Sequence, residues 1–205
     1  MPMSSKYSLR SFVSNSNMNP HQLTIHSILY FRCRGSLEIQ KTNGQWGVHT
    51  TRAFSKGELV ISSNLKYSTT TSCAHSIQIG WGEHVLMDLP GRYVNHSCDP
   101  NIGVRGLNER NSYDFVALKD LDVNEVCLIR DAMIGASSNK LFLTFCGTAL
   151  KELTFDYETT EYEVGAFSKC LCGSWNCRGK VCGFKYNGDT IRKRYDEENI
   201  ASYLL

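Results

Sequence analysis

"NHSCDPN", residues 95–101, sets an amide, an imidazole, a hydroxyl and a thiol side by side and then turns through Asp99-Pro100-Asn101. The part played by Cys98 decides how the rest of the chain is read: a nucleophile, a metal ligand, or a small buried residue. Against the first, His96 and Cys98 are two positions apart, whereas a catalytic Cys–His pair is normally assembled from distant parts of a chain. The stretch alone leaves the question open, and the other cysteines narrow it.

There are nine cysteines in 205 residues. No secretory signal peptide opens the chain, so the expectation is a reducing compartment in which thiols bind metal or sit buried. Cys33, Cys73, Cys127 and Cys146 stand alone, and an isolated cysteine behaves as a small buried hydrophobe. In "KCLCGSWNCRGKVCG", residues 169–183, Cys170, Cys172 and Cys177 give the spacing C-x-C-x4-C among glycines that let the backbone curl around an ion. Tetrahedral zinc selects such spacing, with thiolates at about 2.3 Å. The fourth ligand is either Cys182, close by, or Cys98, which would tie this segment to a distant part of the chain.

Composition sets the outer limits. Hydrophobic residues make up 41% and charged residues 20%, the balance of a globular protein with a core. A net charge of +2 argues for neither nucleic acid nor a membrane surface as a partner. No apolar run approaches the ~20 residues that cross a bilayer. Residues 1–35 are rich in Ser and Asn, carry Lys6, Arg10, Arg32 and Arg34, and have no acidic residue. They read either as an organellar transit peptide or as a plain disordered extension.

From Ser36 onward short apolar alternations are broken by turn residues: "SLEIQ", "TNGQWG", "VHTTRAF", "SKGE", "LVISS". Helical periodicity is absent from the middle, so the class is mostly β. "DTIRKRYDEENIASYLL", residues 189–205, predicts a terminal helix with Ile191, Tyr195 and Ile200 as its apolar points.

Four separated stretches, taken in order, resemble one family, the SET-domain protein lysine methyltransferases with a post-SET zinc segment. "GQWGVHTTRAFSKGELV" is similar to the opening of that domain, "RYVNHSCDPN" to its cofactor signature, "ELTFDYE" to the stretch that supplies its tyrosine, and "CLCGSWNC" to its post-SET segment. The four span about residues 36–185, and their agreement in order is far more specific than a lone NHSC. One departure stands out: the first glycine of the usual G-x-G turn is Gln45, while Trp46 and Gly47 are kept.

The resemblance implies a SET-domain fold of short sheets with a knot-like C-terminal segment. It divides the chain into an extension over 1–35, the SET domain over 36–160, the zinc-bound post-SET segment over 161–185 and a helical tail over 186–205. It implies S-adenosylmethionine as methyl donor, structural zinc on Cys98, Cys170, Cys172 and Cys177, and a protein lysine, such as one in a histone tail, as substrate. Trp46, Gly47, Arg92, Tyr93, Asn95 and His96 would meet the cofactor, with Asn95 on its methionine portion and His96 on its adenine. Tyr157 and Phe155 would carry the chemistry, Cys182 would be a spare, and no direct nucleic-acid binding is expected. The implied location is the nucleus or cytoplasm, or an organelle if the extension is a transit peptide.

The chemistry agrees with those residue types. Methyl transfer needs a neutral amine, and with a lysine pKa of about 10.4 that costs roughly 4.6 kcal/mol at pH 7. A dry aromatic channel beside a sulfonium disfavours the ammonium, so no strong carboxylate base is required. Strand alternation in "ELTFDYE" puts Leu153, Phe155 and Tyr157 on one face, where Phe155 and Tyr157 line one channel, and leaves Asp156 on the other as a structural acceptor. Tyr67 and Tyr113 are further candidates for the channel wall. Two other readings stay open: an inactive SET-like, zinc-stabilised binding module, and a hydrolase using Cys98 and a histidine, which leaves the cysteine cluster unexplained.

Residues 126–151, "VCLIRDAMIGASSNKLFLTFCGTALK", separate "ALKDLDVNE" from "ELTFDYE", and without them the text runs on as one turn and strand. Valine codons begin GT and one lysine codon ends AG, the boundary dinucleotides of an intron. The segment reads either as a retained in-frame intron or as a real surface loop, in which case Leu141, Phe142, Leu143 and Phe145 need a surface to cover.

Overall fold

The computed structural model describes residues 30–33, 36–42, 44–69, 73–106, 112–131, 142–165 and 169–205. The transit-peptide reading falls on residues 1–29, 34 and 35, outside them. A strand nonetheless precedes Ser36: β1 (Tyr30–Cys33) pairs antiparallel with β2 (Leu37–Thr42). β2 turns into β3 (Gln45–Thr50) so that Thr42 faces Gln45. Gly44, just before β3, has φ 84°, the positive value that tight hairpin turns require.

β4 (Leu59–Thr69), β5 (Ser76–Gly80) and β6 (Glu83–Met87) follow. Then come the two-residue β7 (Asn95–His96), β8 (Ile102–Arg105) and β9 (Ser112–Ala117). They lead to β10 (Asn124–Asp131), β11 (Phe142–Ala149), β12 (Lys151–Phe155) and the helix α1 (Phe184–Arg194). One five-stranded sheet runs β5-β6-β4-β9-β8 and another runs β1-β2-β3-β12-β7. Ile39, Val48, Leu153 and Phe155 of the second pack with Ile61, Ile102, Val104 and Phe115 of the first in one core. Each such side chain contributes about 1.5–3 kcal/mol by leaving water. The mostly β class read from the alternation is the class observed.

β12 positions the site. It lies antiparallel to β3, with Leu153 opposite Val48, and parallel to β7, with Thr154 opposite Asn95 and Phe155 opposite His96. Three stretches far apart in sequence thus become neighbours in one sheet. The end of the NHSCDPN stretch secures the pairing: Asn101 Nδ2 donates to the Glu152 carbonyl at 2.8 Å, and its Oδ1 accepts from the Thr154 N–H at 2.9 Å.

β10 and β11 form a two-stranded antiparallel ribbon of their own, in register from Asn124 opposite Ala149 to Asp131 opposite Phe142. Residues 126–131 and 142–149 of the insert are therefore strand rather than loop. The expectation about its apolar side chains lies outside the described residues.

The predicted terminal helix is shorter and earlier than its sequence suggests. α1 starts at Phe184 and ends at Arg194, because Tyr195 turns extended, with φ −118° and ψ 143°. That turn buries the Tyr195 ring, whose hydroxyl donates to Asp156 at 3.1 Å. Beyond it, short 3-10 turns at Glu197–Asn199 and Ser202–Leu204 carry the chain back to the body, where the Ala201 N–H donates to the Thr159 carbonyl. Among the described residues no helix is long and apolar enough to cross a membrane.

Candidate functional site

The sulfurs of Cys98, Cys170, Cys172 and Cys177 lie within 4.8 Å of one another. Thiolates at about 2.3 Å from a tetrahedral ion sit roughly 3.8 Å apart, and Cys98 Sγ lies 3.8 Å from Cys170 Sγ. The donor set and its spacing fit zinc. Cys182 is not in the group; its N–H donates to Glu158 Oε1 at 2.8 Å instead. Of the two candidates for the fourth ligand, the structure gathers Cys98.

Arg178, next to Cys177, locks this segment to the body. Its guanidinium donates to both oxygens of Asp156, at 2.7 and 2.9 Å, and lies 3.1 Å from Glu158 Oε2. Its backbone N–H also donates to Cys98 Sγ at 3.4 Å. Asp156, fully buried, accepts in addition from the Glu158 N–H and so caps the 3-10 turn Tyr157–Thr159. Asp156 is the structural acceptor that alternation implied.

A cavity of about 640 Å³ opens between this segment and β12. Its lining includes Trp46, Arg92, Tyr93, Asn95, His96 and Tyr157. The volume and the mix of aromatic and polar groups are those of a small-molecule site. Gly47 stands behind this wall: a Cβ there would meet Glu152 Oε1 at 2.6 Å and Asn95 Nδ2 at 3.2 Å. Asn95 Nδ2 donates to the Trp46 carbonyl at 2.8 Å and to Glu152 Oε1 at 2.7 Å, which leaves its Oδ1 as the amide's remaining acceptor. The Trp46 and Tyr93 rings tilt against each other at 6.0 Å. Arg92 is held by its Nε–H to the Met87 carbonyl at 2.9 Å.

His96 joins the cavity to the cysteines. Its Nε2 lies 3.4 Å from Cys98 Sγ, and its Nδ1 accepts from the Tyr157 N–H at 3.2 Å. Burial lowers its pKa to about 4, against the raising effect of Asp156, so the imidazole is neutral at pH 7.

A second, smaller cavity, about 30 Å³, lies on the other side of Tyr157, walled by Ile77, Met87, Val94, Phe155, Tyr157 and Glu161. Ala74, His75, Arg92 and Tyr157 line both cavities, so the two meet there. The Phe155 and Tyr157 rings lie 4.7 Å apart, tilted at 44°, as the single channel wall requires, although Tyr157 already belongs to the 3-10 turn rather than to β12. The Tyr157 hydroxyl donates to the Val94 carbonyl at 2.9 Å. Burial, then the charges of Glu161 and Glu152, push its pKa well above the usual tyrosine value, and it stays a donor. Tyr113 is buried too, but its hydroxyl donates to the Gln78 carbonyl at 3.2 Å, away from the channel. The side chain of Tyr67 lies outside the described residues.

Three residues of the site had no part in the sequence reading. Glu152 faces the large cavity, and alternation with Thr154 along β12 carries that signal. Arg178 follows the last cysteine of the run, with no feature that sets it apart from a solvated arginine. Glu161 is one of three acids after Tyr157, with Glu158 and Glu163, and only burial distinguishes them.

No family model matches the chain. Over 115 residues it is 31% identical to the histone-lysine N-methyltransferase ASHH2 of Arabidopsis thaliana, spanning 56% of this chain and 5% of that protein. Over 120 residues it is 28% identical to the methyltransferase flvH of Aspergillus flavus, spanning 58% of this chain and 52% of that one. The methyltransferase domain of the human histone-lysine N-methyltransferase SETMAR superposes with a TM-score of 0.41 at 18% identity, over 70% of this chain and 56% of that one. The chain thus spans about half or less of the relatives it matches by sequence. Those relatives are methyltransferases, the class of protein that the four motifs resemble.

Proposed function

We propose that the chain is a SET-domain protein lysine methyltransferase that uses S-adenosylmethionine and is completed by a structural zinc. The observation that carries this reading is the meeting of two cavities at Tyr157, one of small-molecule size and one small and walled in part by Phe155 and Tyr157. S-adenosylmethionine supplies an electrophilic methyl group. Trp46, Arg92, Tyr93, Asn95 and His96 hold it in the large cavity, with the Asn95 Oδ1 accepting from its ammonium. The target lysine enters the narrow cavity with its nitrogen toward Tyr157. Phe155 and Tyr157 exclude water there and keep the amine in line with the methyl, a contribution of positioning and electrostatics.

Zinc on Cys98, Cys170, Cys172 and Cys177 supplies no step of the reaction. It ties residues 169–183 over the large cavity, so that metal binding and completion of the site are one event. Histone tails are the proposed substrate class, and the nucleus or cytoplasm the proposed location. The test is a panel of lysine-containing histone peptides incubated with the zinc-loaded chain and methyl-labelled S-adenosylmethionine. Label on lysine is the expected result. A folded chain that binds S-adenosylmethionine yet labels no peptide overturns the reading in favour of a zinc-stabilised binding module.

A further inference from the structure

Glu161 is an acid built into the wall of the narrow cavity. It is 7% exposed and sits four residues after Tyr157. One oxygen has a structural partner: Oε1 accepts from the Gln78 N–H at 2.8 Å, and Gln78 Oε1 in turn accepts from the Tyr162 N–H at 2.8 Å. This pair of bonds holds the carboxyl in place on β5. The other oxygen, Oε2, lies 3.8 Å from His84 Nδ1 of β6, too far for a hydrogen bond. The phenols of Tyr113 from β9, Tyr157 beside β12 and Tyr203 from the last turn also feel its charge, which helps to keep them protonated. His75 and Arg92 stand where the two cavities join.

A buried carboxyl that, among the described residues, makes no hydrogen bond to a cation is costly unless something charged comes closer to it. The cavity it lines is about 30 Å³, more than the roughly 10–15 Å³ that a water-sized group needs. Its walls include the apolar Ile77, Met87 and Val94 and the rings of Phe155 and Tyr157, with Ser76, His75 and Arg92 on its polar side. We infer, resting on the methyltransferase reading above, that Glu161 receives the target ammonium in the narrow cavity and accepts its proton before methyl transfer.

In that step an N–H bond of the ammonium breaks and its proton goes to the Glu161 carboxylate, forming an O–H bond. The freed electron pair on nitrogen forms the new N–C bond while the bond from methyl to sulfur breaks and leaves its pair on sulfur. The product is a methylated ammonium, and Glu161 returns its proton to water between turnovers. Burial raises the Glu161 pKa to about 7, which makes it a far better proton acceptor than an ordinary carboxylate at neutral pH. The aromatic channel thus does not act alone in neutralising the amine.

The test uses the full, zinc-loaded chain, n-butylammonium as a probe of the cavity, n-butanol as its uncharged counterpart, and the Glu161→Gln variant, which retains an oxygen for the Gln78 N–H. In the wild type, NMR titration at pH 8 should show n-butylammonium binding at least tenfold tighter than n-butanol, with the difference vanishing below pH 6. In Glu161→Gln the preference should be absent while S-adenosylmethionine affinity stays within twofold. With histone peptides, kcat of the variant should fall about 100-fold at pH 7 and recover as the pH approaches 10, where the amine is neutral by itself. Equal binding of the two probes by the wild type at every pH overturns the proposal without any variant. A loss of kcat that is uniform with pH also overturns it, leaving Glu161 a structural tie. If the wild type prefers n-butylammonium but methylates no lysine, the cation site stands and the methyltransferase reading fails.

Discussion

Arg178 donates to both carboxylate oxygens of Asp156, at 2.7 and 2.9 Å, and so fastens the cysteine segment to the residue that precedes Tyr157. Both carboxylates it serves, Asp156 and Glu158, are fully buried as side chains. Arg178→Met leaves them without their cation and should destabilise the zinc-loaded chain by about 3–5 kcal/mol. Arg178→Lys should recover only part of this, because an ammonium cannot match the two-pronged contact. Urea unfolding of both variants checks this, and a loss under about 1 kcal/mol for Arg178→Met contradicts it.

The cysteine group makes a prediction about metal. Cys98→Ser should release the zinc and Cys182→Ser should keep it, since Cys98 Sγ lies with the other three sulfurs while Cys182 meets Glu158 through its backbone. Elemental analysis of the two purified variants decides. Zinc lost from Cys182→Ser alone would mean that the ligand set is local and that the metal does not tie the segment to residue 98.

Stability should carry the mark of Glu161. Its pKa in the folded chain, about 7, lies above the ordinary 4.5, so the folded state holds the proton more tightly than the unfolded one. The stabilisation of the protonated form is full below about pH 4.5 and is lost as the pH rises toward 7. Relative to Glu161→Gln, the wild type should therefore weaken by roughly 3 kcal/mol between pH 4.5 and 8. Denaturant unfolding of both chains across that range measures it, and parallel curves contradict it.

The β10–β11 ribbon returns Ala149 to a position opposite Asn124 and pairs with neither five-stranded sheet. Deleting residues 126–151 removes all of β11, all but the first two residues of β10, and Lys151 from the start of β12, while Asn124, which faces Ala149, keeps the cut end near β12. The shortened chain should keep its zinc and unfold within a few degrees of the full one. A shortened chain that fails to fold would show the ribbon to be part of the framework. Transcript sequencing separates the two origins, since a retained intron predicts messages that lack these codons.

Alternation made the strands legible, but the pairing of Leu153 with Val48 and of Phe155 with His96, which brings three of the motifs together, is a long-range contact that alternation does not show. The pull of Cys98 toward the distant cysteines was legible only through the resemblance, because spacing alone favoured Cys182 equally. Tertiary pairings decided the rest. Tyr195 ends α1 because Asp156 lies in reach, and nothing near Tyr195 in sequence says so. Glu158, Glu161 and Glu163 look alike in "YETTEYE", yet the first two are buried and the third is exposed. The segment 126–151 reads as a retained intron or a surface loop, and its two strands, Asn124–Asp131 and Phe142–Ala149, were not legible in it.

The most direct measurement is mass spectrometry of histone peptides after exhaustive reaction with S-adenosylmethionine carrying a labelled methyl, using the wild type, Tyr157→Phe and Phe155→Tyr. Tyr157→Phe should remove most turnover, at least 100-fold, while calorimetry shows S-adenosylmethionine still bound, because its hydroxyl acts at the transferring methyl and not on the adenosine. The wild type should reach di- or trimethyl-lysine, since Phe155 leaves the amine room to turn, and Phe155→Tyr should stop earlier. Labelled di- or trimethyl-lysine that disappears with the Tyr157 hydroxyl is the predicted result. Transfer undiminished in Tyr157→Phe, or label on a residue other than lysine, would contradict the account.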